Sequence, residues 1–249
     1  MMIPSSKLSK TFFGAALALC LSLSALHGQS EPANRLPSGP LIAARAPDFA
    51  QWDVECRSAT GDKTHNASGT PHIAQVTVIK TGEIQYEKTT YGDGTAKERW
   101  TKGSFNAVKE PGYRGIIIRP RLEQGGDFPD FDWVSAENYL GRTRMDSRDC
   151  IVFRQQMYPL RFQDPDFFRA LTNGGKGEPG ADLGAKVEVT AWIDLATRFP
   201  VQLKIGNDLR VYRFSAPPTT PLVLPDAFAK TVSETEKRIQ ALTRPLSPP

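Results

Sequence analysis

From residue 187 the chain alternates apolar and polar side chains with a period of two. Val187, Val189, Ala191 and Ile193 are interleaved with Glu188, Thr190, Trp192 and Asp194. That spacing sends one set to each face of a β-strand. Val201, Leu203 and Ile205 repeat the pattern against Gln202 and Lys204. Gly206-Asn207-Asp208 then marks a tight turn, because Gly and Asn tolerate positive φ. Beyond it, Leu209 and Val211 alternate with Arg210, Tyr212 and Phe214. The segment reads as a three-stranded antiparallel meander.

The same rhythm runs through the earlier chain. Trp52, Val54 and Cys56 share one side of a first strand, and Val76, Val78 and Ile79 supply β-branched mass to a second. Ile84 and Tyr86 alternate with Glu83, Gln85 and Glu87. Turn signals at Gly82, at 92–94 and at Gly103 are closely spaced, and further strands are expected over 95–100, 104–108 and 113–119. Residues 142–145 and 150–155 read as the arms of a hairpin about 146–149. Helical signals are few. Asp164-Pro165 is a helix start of the cap-then-proline kind. Asp226 can cap a helix to about Leu242, with Phe228, Val232, Ile239 and Leu242 as a narrow apolar stripe. The fold class is therefore mainly β (α+β).

The first residues stand apart from this pattern. Lys7 and Lys10 lead an apolar run from Phe12 to Leu26, of secretory-signal length. Residues 1–28 are expected to be a signal peptide, cleaved between Ala25 and Ser30, which predicts a periplasmic or secreted protein. Cys20 follows Leu19, where lipoprotein processing prefers a small residue. Residues 29–46 lack periodicity and are expected to lead flexibly into a β domain over 47–225. A helix and Pro-rich tail over 226–249 complete the chain. No apolar stretch after the leader is long enough to span a membrane.

Charge and cysteine narrow the field. The net charge is +4, and loss of Lys7 and Lys10 with the leader would halve it. No basic run remains to serve as a nucleic-acid footprint, so no nucleic acid is expected. In an oxidising compartment Cys56 and Cys150, each on a strand-like segment, are expected to form a disulfide.

Candidate chemistry is thin. His65 and His72 lack metal-ligand spacing, so neither metal nor cofactor is expected. No GxSxG nucleophile elbow occurs. Asp127, Asp130 and Asp132, and the pair Asp164 and Asp166, offer carboxylates for glycoside hydrolysis or for calcium. Beside Pro and Gly such residues more often serve turns and caps. No catalytic residue is assigned. Trp192, Tyr212 and Phe214 are the candidate ligand-binding residues. They are expected on the face opposite Val189, Val201 and Leu203, so that the sheet would carry apolar groups on both faces. One face would be a core under the C-terminal helix and the other a cavity.

The segment Trp192-Ile193-Asp194, followed by Phe199-Pro200-Val201 and Leu203, resembles the late strand pair of the lipoprotein-carrier superfamily of LolA, LolB and RseB-like proteins. The run over 80–100 is similar to theirs in rhythm. The resemblance implies a single curved antiparallel sheet, a half-barrel with helices on its concave side and an apolar cavity for acyl chains or a lipoprotein. The function expected is non-catalytic binding of an apolar small molecule, lipid or lipidated partner in the cell envelope. Two alternatives stand beside it: an envelope scaffold or interaction protein without a cavity, and a carboxylate-dependent hydrolase using Asp127–Asp132.

Overall fold

The structure, a computed structural model, describes residues 35–58, 72–121, 126–163, 168, 183–216 and 218–243, with side chains of the last helix described to Ile239. The apolar N-terminal run, His65, the helix start at Asp164 and most of the Gly-rich loop after it lie outside the described residues.

The chain forms one open antiparallel sheet of 11 strands, curved in the manner of a half-barrel. The strands are β1 (Phe49–Arg57), β2 (Ile73–Thr81), β3 (Ile84–Tyr91), β4 (Ala96–Lys102), β5 (Phe105–Lys109), β6 (Ile117–Pro120), β7 (Tyr139–Met145), β8 (Arg148–Met157), β9 (Val187–Asp194), β10 (Pro200–Ile205) and β11 (Asp208–Ser215). Their order is β6-β5-β4-β3-β2-β1-β11-β10-β9-β8-β7. Two sequential meanders are thus zipped together where the first strand meets the last. The short helix α1 (Leu160–Gln163) follows β8, and α2 (Asp226–Thr243) follows β11.

The meander and hairpin read from the alternation are present. Two-residue turns close them: Ile205 faces Asp208 across Gly206-Asn207, and Met145 faces Arg148 across Asp146-Ser147. Gly206 sits at φ +59, a left-handed conformation that Gly adopts without strain. Asp146 and Ser147 adopt positive φ, 47 and 69, without Gly; two left-handed residues match the twist of the flanking strands. The β9–β10 turn is built on Asp194. Its Oδ1 accepts from the backbone N–H of Ala196, at 3.0 Å, and of Thr197, at 2.7 Å. This gives the Asp of the Trp192-Ile193-Asp194 motif a local structural task.

The register decides which side chains share a face. Trp52, Val54 and Cys56 of β1 lie opposite Phe214, Tyr212 and Arg210 of β11. Arg210 lies opposite Leu203, which lies opposite Ala191, which lies opposite Phe153. This Trp52 face carries the main core, with Phe153, Ile151, Ile193, Leu203 and Val189 fully buried.

The apolar side of the sheet changes faces at β2–β3. On the Trp52 face, β3 and β4 present Glu87 beside Arg99 (3.7 Å) and Gln85 opposite Thr101, whose hydroxyl donates to Asn106 of β5 (2.7 Å). On the opposite face the same strands present Tyr86 and Trp100, 5.3 Å between ring centroids. There Trp100, Ala107, Phe105 and Ile118 pack against Phe228 and Val232 of α2. The C-terminal helix therefore covers the face opposite the main core, under β4–β6. It does not lie beneath the late meander, as expected from the sequence, because the apolar residues that receive its stripe are on β4–β6.

Two further expectations change. Residues 36–46 do not simply lead into the domain: Leu36, Leu41, Ile42 and Ala46 pack on the main core. The Ala43 N–H donates to the Arg198 carbonyl at 2.9 Å. The disulfide is also absent, since Cys56 and Cys150 are free thiols. Cys56 is on β1 and Cys150 on β8, with β11, β10 and β9 between them. Four inter-strand steps span roughly 19 Å along the sheet, against a limit of about 7 Å between bridged Cα atoms.

Candidate functional site

The Trp52 face of β1 and β11 is aromatic, and irregular chain covers it. Phe214 stacks on Phe199 (centroids 4.7 Å apart, interplanar angle 17°) and on Trp52 (5.9 Å, 26°). Phe128 meets Trp52 at 5.6 Å and Phe199 at 6.1 Å. Phe131 sets its edge against Tyr212 at 5.4 Å. Phe128 and Phe131 belong to a segment over 126–139 with two 3-10 turns, Pro129–Phe131 and Ala136–Asn138. Pro129 fits the first position of such a turn because it has no N–H to satisfy.

Hydrogen bonds and charge fasten this segment. Its backbone pairs with the 36–46 stretch: the Asp127 N–H donates to the Ala44 carbonyl at 3.0 Å, and the Ala46 N–H donates to Asp127 Oδ2 at 2.8 Å. Gly126, at φ +152, approaches so closely that a Cβ would sit 2.4 Å from the Ala44 oxygen. Three carboxylates then take three separate cations. Lys80 Nζ of β2 donates to Asp127 Oδ2 at 3.0 Å, and both side chains are buried, 12% and 7% exposed. Arg210 of β11 bonds Asp130 and also donates to the Phe162 carbonyl of α1. The Tyr212 hydroxyl donates to the same Asp130 oxygen at 3.2 Å. Arg161 of α1 bonds Asp132.

Titration follows from this packing. Burial alone would lower the Arg210 pKa, but the Asp130 carboxylate outweighs it and holds the guanidinium above its ordinary value. Burial, then Asp130, pushes the Tyr212 hydroxyl well up. Burial also raises the Cys56 thiol, with Arg210 acting against it, so Cys56 is poorly nucleophilic. The carboxylates read from sequence as a candidate hydrolytic group are thus each engaged by a different cation. They fasten a loop and do not converge on a common point.

The three aromatic candidates separate. Tyr212 and Phe214 belong to the cluster, together with Leu203 and Val189. Trp192 pairs with Val152 and Gln202 and lies on the opposite face, half-buried. The expectation that all three face away from Val189 and Leu203 is therefore corrected. A two-residue turn at 206–207 places even-numbered residues of β11 with odd-numbered residues of β10. Sequence reasoning also passed over Trp52, Phe128, Phe199, Lys80 and Arg210 as site residues. The available signal was parity. Lys80 follows Val76 and Val78, and Arg210 precedes Tyr212 and Phe214, so each is a charge at an inward position. Among the described residues no group of His, Cys, Asp and Glu could hold a metal ion, and no helix is long and apolar enough to cross a membrane.

No family model and no curated protein matches the chain. Among solved structures it is similar to the Mycobacterium tuberculosis lipoprotein LppX, at 10% identity and a TM-score of 0.37, covering 71% of this chain and 90% of that one. It is also similar to a LolA superfamily protein from Nitrosomonas europaea, at 15% identity and a TM-score of 0.27, covering 74% and 91%. Both similarities concern the fold alone.

Proposed function

We propose that this chain is an exported envelope protein that binds an apolar ligand, or the acyl part of a lipidated partner, without catalysis. The site is the Trp52 face of β1 and β11, beneath the 126–139 segment. One observation carries the reading. Among the described residues, the aromatic cluster of Trp52, Phe199, Phe214 and Phe128 is closed over by irregular chain fastened at discrete polar points, not by a long helix. A cover of that kind can lift as a unit, because few backbone ladder bonds hold it. Burial of acyl surface would supply roughly 25 cal/mol per Å². Export rests on the N-terminal pattern, and sequencing of the mature protein should find its start between Ala25 and Ser30.

A neutral fluorescent probe such as 1-N-phenylnaphthylamine should bind the purified protein saturably, at one site. Phe214→Ala should weaken that binding while the fold is kept. A flat titration removes the carrier reading. It would favour the envelope scaffold, for which one observation already speaks: the same face is filled by the chain's own Phe128, Phe131 and Trp133.

A further inference from the structure

We infer that the ligand of this site is an anionic amphiphile, carrying a carboxylate or phosphate head, and that its head replaces Asp130 on Arg210. The inference rests on the carrier reading and adds to it the chemical class of ligand.

The charges of the closed site are divided between two bodies. Both cations belong to the sheet, Lys80 on β2 and Arg210 on β11. Both carboxylates belong to the cover, Asp127 and Asp130. Arg210 is 16% exposed and Lys80 12% exposed, and each has its nearest carboxylate on the cover, while Lys80 also stands 4.0 Å from Asp48 beside β1. Lifting the segment takes the carboxylates away and leaves two cations beside an apolar strip. Lys80 lies opposite Ala50, and Arg210 opposite Cys56. The strip between those two levels of β1 is about 20 Å long. It is floored by Trp52, Val54, Tyr212 and Phe214.

A neutral apolar ligand can replace Phe128 and Phe131 but offers nothing in place of the cover's carboxylates, leaving Arg210 the Phe162 carbonyl and Lys80 the more distant Asp48. A charge left with weaker partners is costly, so a neutral ligand binds less tightly than an anionic one. A ligand with an anionic head supplies both losses at once: its chain covers the aromatics and its head takes over the bonds of Asp130 or Asp127. A planar guanidinium suits a carboxylate or phosphate in this exchange. The Tyr212 hydroxyl, which donates to Asp130 at 3.2 Å in the closed site, can donate to the same head. Opening of the cover is thereby coupled to the charge of the guest, since a ligand shifts an equilibrium only by its differential affinity for the two states.

The test is displacement of bound 1-N-phenylnaphthylamine from the full mature protein by palmitate, hexadecanol, hexadecylammonium and a monoacyl phosphate. Palmitate and the monoacyl phosphate should displace the probe at concentrations about ten-fold or more below hexadecanol, with the ammonium weakest. The ranking of the two anions tells carboxylate from phosphate. Asp130→Asn, which keeps the shape of the cover but removes its competing charge, should tighten palmitate binding. Arg210→Gln should bring palmitate and hexadecanol together. If Arg210→Gln does not fold, the ranking in the unaltered protein decides alone. Equal displacement by palmitate and hexadecanol overturns the inference and leaves the carrier reading standing. No saturable probe binding overturns both.

Discussion

The two halves of the sheet solve the same problem in opposite ways. In the half made of β1 and β8–β11, the apolar residues share the Trp52 face, and loops cover them. In the half made of β3–β6, the apolar aromatic residues point the other way and a helix covers them. The Trp52 face of that second half carries the polar pairs Glu87–Arg99 and Thr101–Asn106 beside the buried Val108. A helix can dock by its own stripe: α2 is seated by Phe228 and Val232, with one distant pair among the described residues, Lys102–Glu236 at 3.9 Å. An irregular cover has no such stripe, and here buried ion pairs hold it. On the proposed reading, the helical cover is the permanent one and the ionically fastened cover is the one that exchanges partners.

Four measurements would break or sharpen this contrast. Phe153→Ala should have the largest effect. Phe153 is fully buried in the loop-covered half, and such truncations cost about 3–5 kcal/mol, read as a lower urea midpoint for the whole domain. Next, Lys80→Ala strands the buried Asp127 carboxylate and should cost about 3 kcal/mol. Hydrogen exchange should then rise first over 36–46 and 126–139. If exchange rises uniformly, the cover is not a separable unit. Third, Phe228→Ala should release α2, with lost amide protection confined to Asp226–Thr243 and a smaller fall in the global urea midpoint than Phe153→Ala gives.

The smallest effect belongs to Glu55, on the outer surface of β1. Hydrogen bonds from Arg57 and then Arg213 lower its pKa to about 2. Because the folded value lies below the unfolded one, any stabilisation is present above about pH 4.5 and fades as pH falls toward 2. The group is 37% exposed and well solvated, so Glu55→Gln should change stability by no more than about 0.5 kcal/mol at pH 7. The difference should vanish in acid unfolding curves near pH 2.

Much of the architecture was legible from the chain itself. The late meander, the hairpin at Asp146-Ser147 and the terminal helix each follow from local periodicity and turn chemistry, which act within a few residues. The resemblance drawn from Trp192 to Leu203 anticipated the open antiparallel sheet. Facing was not legible. Whether Phe214 points with Leu203 or away from it depends on the parity of one turn, and a shift of one residue moves every side chain to the other face. Nor was the cover legible, because Leu36, Leu41 and Ile42 show no repeat and acquire their task only from the surface they meet. The pairing of Asp127 with Lys80 joins positions 47 apart, and that of Asp130 with Arg210 positions 80 apart. No local pattern encodes either.

Because the sheet does not close, two rims keep backbone groups without a neighbouring strand among the described residues. β6 is only four residues long and ends at Pro120, which cannot donate to an added strand. β7 is longer, seven residues, interrupted by a shift of register between Tyr139 and Gly141 and carrying the exposed Arg144. The defence against fibrillar stacking therefore sits at the margins and not in the core. Arg144 and Pro120 guard the molecule's solitude without adding to its internal packing.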